Sequence, residues 1–206
     1  MINKAGVPGL GDIRYVDVDG NGEISPGKNV LGDTGDLQYL GDINSRYQYG
    51  FNFNFGYKNI DFSMFIQGIG KRKFKPSNEL IQPQLYSYYL PMNFHMDYWT
   101  PDNRDAAYPR PYLEGTQNFQ NSDKWFMSGA YARLKNIQLG YSLTQETVKK
   151  LPFSRVRMYV SGEDLLTISK LGIYKGVIDP EMKPEDGKVS PYPFATSISF
   201  GLNIDF

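Results

Sequence analysis

The chain has 206 residues, and its 22 Lys plus Arg are matched by 22 Asp plus Glu. A zero net charge argues against a nucleic-acid binder, which would carry a basic excess. The absence of Cys excludes disulfides and thiolate metal sites, and a single histidine, His95, leaves little material for His-based catalysis or a zinc centre.

The first feature in chain order is an acidic loop, DVDGNGEIS. Residues 1–13 before it lack the apolar segment of a signal peptide. Asp17, Asp19 and Asn21 take positions 1, 3 and 5 of an EF-hand-like loop, with Gly22 at 6, Glu23 at 7 and Ser25 at 9. Alternate side-chain oxygens would converge on one cation while Gly22 makes the sharp turn, and Glu23 would offer its carbonyl. Lys28 stands where the bidentate acid belongs, so any calcium would be held weakly. The other reading is an Asp/Asn/Gly-rich turn without metal.

A strand follows. In RYQYGFNFNFGYK the odd positions are Tyr47, Tyr49, Phe51, Phe53, Phe55 and Tyr57, and the even ones are polar or Gly. Period two predicts a strand with one aromatic face. Beyond a tight turn at Lys58-Asn59, Ile60, Phe62, Met64 and Ile66 share a face, with Phe65 breaking the rule. Gly68 and Gly70 resemble a phosphate loop only superficially, and Lys71-Arg72-Lys73 reads as a basic patch at the strand's outer end. A long connection, about 71–128, carries Tyr98, Trp99, Tyr108, Tyr112 and Trp125. Exposed aromatic faces stack on sugar rings, which makes these five candidate substrate contacts; loop packing or an interfacial belt is the alternative.

Ile137, Leu139, Tyr141 and Leu143 give a third strand, and Val156, Met158 and Val160 a fourth. Between them, 144–154 predicts a helical turn capped by Thr144 and stopped by Pro152. Glu163-Asp164 and Asp179-Glu181 read as solvated loop acids rather than an acid/base pair. A second long connection covers about 167–194. The chain then ends on Ile198, Phe200, Leu202, Ile204 and Phe206 at alternate positions, a strand carried to the last residue.

Two all-β readings compete. One is a soluble calcium-binding sandwich that binds carbohydrate, apolar face inward. The other is a segment of a transmembrane β-barrel, which spans the bilayer with about nine to eleven tilted residues per strand, apolar out and polar in. Strand length, the run of six aromatics and Tyr at both ends of the stripe favour the barrel. So do short turns on one side and long loops on the other. About five strands make an incomplete barrel, an open curved sheet if alone.

DIRYVDVDGNGEIS, YGFNFNFGYKNIDFSMFIQGIGKR, YWTPDNRDAAYPRP, SDKWFMSGAYARLKNIQLGYSL, VRMYVSGEDLLT and the terminal SFGLNIDF together resemble the C-terminal portion of a SusC-like TonB-dependent outer-membrane receptor. The resemblance implies a transporter rather than an enzyme, importing a bulky nutrient, an oligosaccharide or a peptide, across the outer membrane of a Gram-negative bacterium. It implies a SusD-like surface lipoprotein, a TonB system acting through a plug that this chain does not match, and the barrel-assembly machinery, which would read Phe206. Residues 1–45 would then be an extracellular loop bearing the EF-hand-like turn. Residues 46–206 would be barrel strands facing the lipid bilayer, of about 22 in a whole receptor. The acidic loop recurs in that family with a later Asp, a place Asp33 or Asp36 would fill here.

Overall fold

The computed structural model describes residues 9–82, 90–113, 115–150, 152–182 and 194–206. Their elements in chain order are β1 (Tyr47–Tyr57), β2 (Ile60–Gly70), the two-residue β3 (Lys73–Phe74), α1 (Asn78–Ile81), the two-residue β4 (Met127–Ser128), β5 (Tyr131–Ser142), α2 (Gln145–Val148), β6 (Arg155–Ser169) and β7 (Ser197–Asp205). Parts of both long connections, 83–89, 114 and 183–193, lie outside the described residues. The described chain divides into two units. One holds residues 9–41 and 73–127; the other holds 42–72, 128–182 and 194–206.

The second unit is an antiparallel sheet ordered β1-β2-β5-β6-β7, each strand beside its chain neighbour among the long strands. It is open, with β1 and β7 at its edges. Alternation of side chains turns this register into rows of like character. Phe55, Phe62, Leu139, Val160 and Phe200 form one row across all five strands, and Tyr57, Ile60, Tyr141, Met158 and Leu202 the next. One residue along lie Asn54, Ser63, Gln138, Ser161 and Ser199, on the opposite face. The sheet therefore has one apolar and one polar face.

Among the described residues, nothing covers the apolar face. Phe51 is 56% exposed, Phe200 84% and Phe206 92%. Phe53 and Phe55 are exposed too, so the described residues do not bury these rings together in a sandwich core. The Phe206 ring lies 5.3 Å from that of Phe153, edge-on.

The connections sort by end. Lys58-Asn59 joins β1 to β2, the segment bearing α2 joins β5 to β6, and β7 finishes at that same end. Thr144 sits at the N-cap of α2 as expected, but its hydroxyl meets that of Thr147 at 2.9 Å rather than a backbone N–H. The long connections all leave from the other end.

Phe65, which broke the apolar rule, obeys the register. It lies on the polar face in the row of Asn52, Asn136, Glu163 and Ser197, and its ring covers Gly50. Glycines recur on that face where neighbours lie flat. Asp61 and Arg157 meet over Gly140, and the Tyr159 ring lies over Gly201. A bulge interrupts the register at Lys135, which has no opposite residue in β2 and faces Asp164 and Leu165 together in β6. Asp164 takes a left-handed φ of 50°, uncommon outside glycine, to make that bulge.

Candidate functional site

The acidic loop folds as its spacing requires. Gly20 and Gly22 take φ of 74° and 87°, conformations that favour glycine. Asp17 accepts from the N–H groups of Gly20 and Gly22 at 2.7 and 2.8 Å, Asp19 from that of Asn21 at 3.1 Å, and Asn21 from that of Glu23 at 2.7 Å. The carboxylates of Asp17, Asp19 and Asp36 converge, each offering an oxygen within 4.8 Å of the others. This triad of hard oxygen donors suits a divalent cation of the calcium kind. Of Asp33 and Asp36, it is Asp36 that joins the cluster. It accepts from the N–H groups of Ser25 at 2.7 Å and Val18 at 2.6 Å, and these hold its carboxyl below the usual carboxylate range, Ser25 foremost. Of the other expected ligands, Asn21 accepts the Glu23 N–H and Ser25 donates its N–H to Asp36, both at 2.7 Å.

The loop aromatics divide. Tyr108, Tyr112 and Trp125 are buried in the first unit, where they pack it. Trp125 lies 5.5 Å from Phe119 and 5.9 Å from Tyr108, and its indole N–H donates to the Asn118 carbonyl at 2.8 Å. Tyr112 donates to Asp12 at 2.9 Å. Tyr98 and Trp99 stay half-buried, Trp99 against Gly11. His95 is buried as a neutral ring. Its Nδ1 accepts the Met92 N–H at 2.8 Å, and its Nε2 faces the Leu80 carbonyl at 2.7 Å as the donor. Burial lowers its pKa, partly offset by Leu80.

On the polar face of the sheet lies an ionic network that sequence reading missed. Arg133, 3% exposed, donates to both Asp179 oxygens at 2.7 Å, to Glu181 at 2.8 Å and to the Thr167 hydroxyl at 2.8 Å. Lys135 reaches Asp164 at 3.0 Å and Glu181 at 3.2 Å. Asp179 also accepts the backbone N–H of Glu181 and of Phe194, fastening the chain on both sides of residues 183–193. The reading of Asp164, Asp179 and Glu181 as solvated loop acids is thus corrected: each meets a cation of β5 on the sheet. Arg72 likewise is no surface patch but is buried, donating to the Pro180 carbonyl. No residue spacing signals these pairings, because the bulge and the fold-back of 171–182 create them.

No family model matches the chain. It is 30% identical over 207 residues to the TonB-dependent receptor P3 of Formosa agariphila, covering 93% of this chain and 19% of that protein. It is 26% identical over 216 residues to the TonB-dependent receptor P26 of the same organism, covering 96% and 20%. The chain therefore spans about a fifth of the length of the curated relatives it matches. Among solved structures, the RagAB peptide importer in its open-open state matches with a TM-score of 0.61 and 19% identity, over 84% of this chain and 18% of that one. That match shows the fold: an open antiparallel sheet that corresponds to part of a larger chain. The chain belongs to the TonB-dependent receptor family of the Gram-negative outer membrane, of whose members it spans a part.

Proposed function

We propose that the chain forms the C-terminal wall of a SusC-like transporter that imports a bulky nutrient with a SusD-like surface lipoprotein. The observation that carries this reading is the five-stranded sheet whose apolar face is bare from β1 to β7. Such a face needs lipid, and such edges need further strands. The match to a peptide importer favours a peptide over an oligosaccharide as cargo. Residues 1–45 lie outside the cell on this reading, their Asp17, Asp19 and Asp36 holding calcium weakly. Tyr98 and Trp99 remain as candidate cargo contacts. Energy comes from TonB acting through a plug.

The test is uptake. Cells carrying or lacking the gene are given a labelled peptide pool or a labelled oligosaccharide pool, with and without an uncoupler. Uptake lost on deletion and on uncoupling supports the reading. Uptake of both pools unchanged by deletion contradicts it.

A further inference from the structure

The sequence holds one Asn-Gly pair, Asn21-Gly22, and it sits inside the acidic loop. Asparagine is among the thermally labile side chains, and a following glycine, with no Cβ, lets its backbone nitrogen close in on the side-chain carbonyl. Both residues are exposed, and nothing lies within 4 Å of where a Cβ of Gly22 would stand, so water has free access. The loop then sets three groups around the pair. The Gly22 N–H, on the nitrogen that would attack, donates to Asp17 Oδ2 at 2.8 Å. Asn21 Oδ1, the oxygen that gains charge under attack, accepts the Glu23 N–H at 2.7 Å. Asn21 Nδ2, the nitrogen that would leave, donates to Asp19 Oδ2 at 3.0 Å. A base on the nucleophile and a donor on the forming oxyanion are the working parts of acyl transfer.

We propose that Asn21 is a self-modification site, converted by its own loop through a cyclic imide to aspartate and isoaspartate. Asp17 takes the Gly22 amide proton as the Gly22 nitrogen bonds to Asn21 Cγ, and the Glu23 N–H steadies the oxyanion. The Cγ–Nδ2 bond then breaks, and that nitrogen, with the proton returned to it, departs as ammonia. Water opens the five-membered imide at either carbonyl, giving aspartate or the isomer whose main chain runs through the side chain. Nothing is oxidised or reduced, and water is the one co-reactant. Each conversion adds a negative charge to the loop that gathers Asp17, Asp19 and Asp36. Carboxylates so close repel one another when empty and attract a cation more strongly. The charge of the loop therefore grows with the age of the protein.

The intact receptor is incubated for days at neutral pH with a chelator, either folded or in urea, then digested and mapped by mass spectrometry. Asn21 is expected to gain the mass difference between an amide and an acid, with isoaspartate present beside aspartate as the signature of the imide. An unchanged Asn21 overturns the proposal, and aspartate as the sole product overturns the imide route. The folded rate is expected to match or exceed the rate in urea. A folded rate about tenfold below it would mean that the turn shields Asn21, which overturns the part given to the loop. Asp17→Asn should slow the folded reaction about tenfold, less than an enclosed base contributes because the loop is open to water, and leave the rate in urea unchanged. Equal slowing in both states, or in neither, overturns Asp17 as the proton acceptor. The comparison of folded receptor with urea needs no substitution, so it decides the case even where Asp17→Asn loosens the loop.

Discussion

Asp36 closes the acidic loop from outside it. Its two oxygens hold the amides of Val18 and Ser25, so the three carboxylates are brought together by backbone bonds before any ion arrives. The depressed pKa fixes the sign of the pH dependence. The contribution of this carboxylate is present above the ordinary Asp range and is lost as pH falls through its lower folded value. Titration calorimetry of calcium into the intact receptor should therefore show weak binding at neutral pH, abolished by Asp19→Ala and by Asp36→Ala. Equal heats from the parent and both variants would mean the loop is only a turn. His95 makes the opposite residue-scale case, a titratable group held neutral by burial. Its folded pKa lies below the ordinary 6.5, so the unfolded chain binds the extra proton first. The first unit should lose stability as pH falls below about 6.5, and the loss should vanish in His95→Asn. Hydrogen exchange at Met92 and Leu80 between pH 7 and 5 reads it. A pH-independent exchange ratio for parent and variant would contradict the neutral ring.

At the scale of elements, the fold-back of 171–182 is pinned to β5 by charges taken out of water. Removing one member of a buried pair costs about 3–5 kcal/mol, whereas replacing both by apolar residues is often nearly neutral. Asp179→Ala should therefore destabilise the receptor far more than Arg133→Met/Asp179→Leu, as read by denaturant unfolding. Equal losses would show that the network is not electrostatically strained by removal of one partner. Gly201→Val tests the polar face differently. A Cβ there meets the Tyr159 ring, so loss of stability is expected, and Tyr159→Ala should relieve it. These features mark the limit of what the chain's order reveals. Tyr47 to Tyr57 were legible as a strand with an aromatic face because a strand's two faces are read off alternate letters. The acidic loop was legible as far as a choice between Asp33 and Asp36. Asp179 was not, because its partner Arg133 lies on another strand and faces it only through the fold. The bulge at Lys135 was hidden for the same reason. Tyr108, Tyr112 and Trp125 carried no sign of burial, since a loop aromatic looks the same whether it packs or protrudes.

At the scale of the molecule, five strands leave two edges and one bare face. The smallest closed membrane barrels have about eight strands, so this sheet cannot close alone. Isolated in water, the chain is expected to aggregate, pair edge to edge with copies of itself or stay largely unfolded. Sedimentation of the refolded chain checks this, and a soluble, folded monomer would contradict it. The direct measurement is a pair of substitutions one residue apart on β1 in the intact receptor, folded into bilayers and unfolded by denaturant. Phe53→Arg places a charge on the apolar face at mid-depth and should cost about 2–4 kcal/mol, whereas Asn52→Arg, on the polar face, should cost far less. Equal sensitivity at Phe53 and Asn52 would contradict a lipid-facing barrel wall.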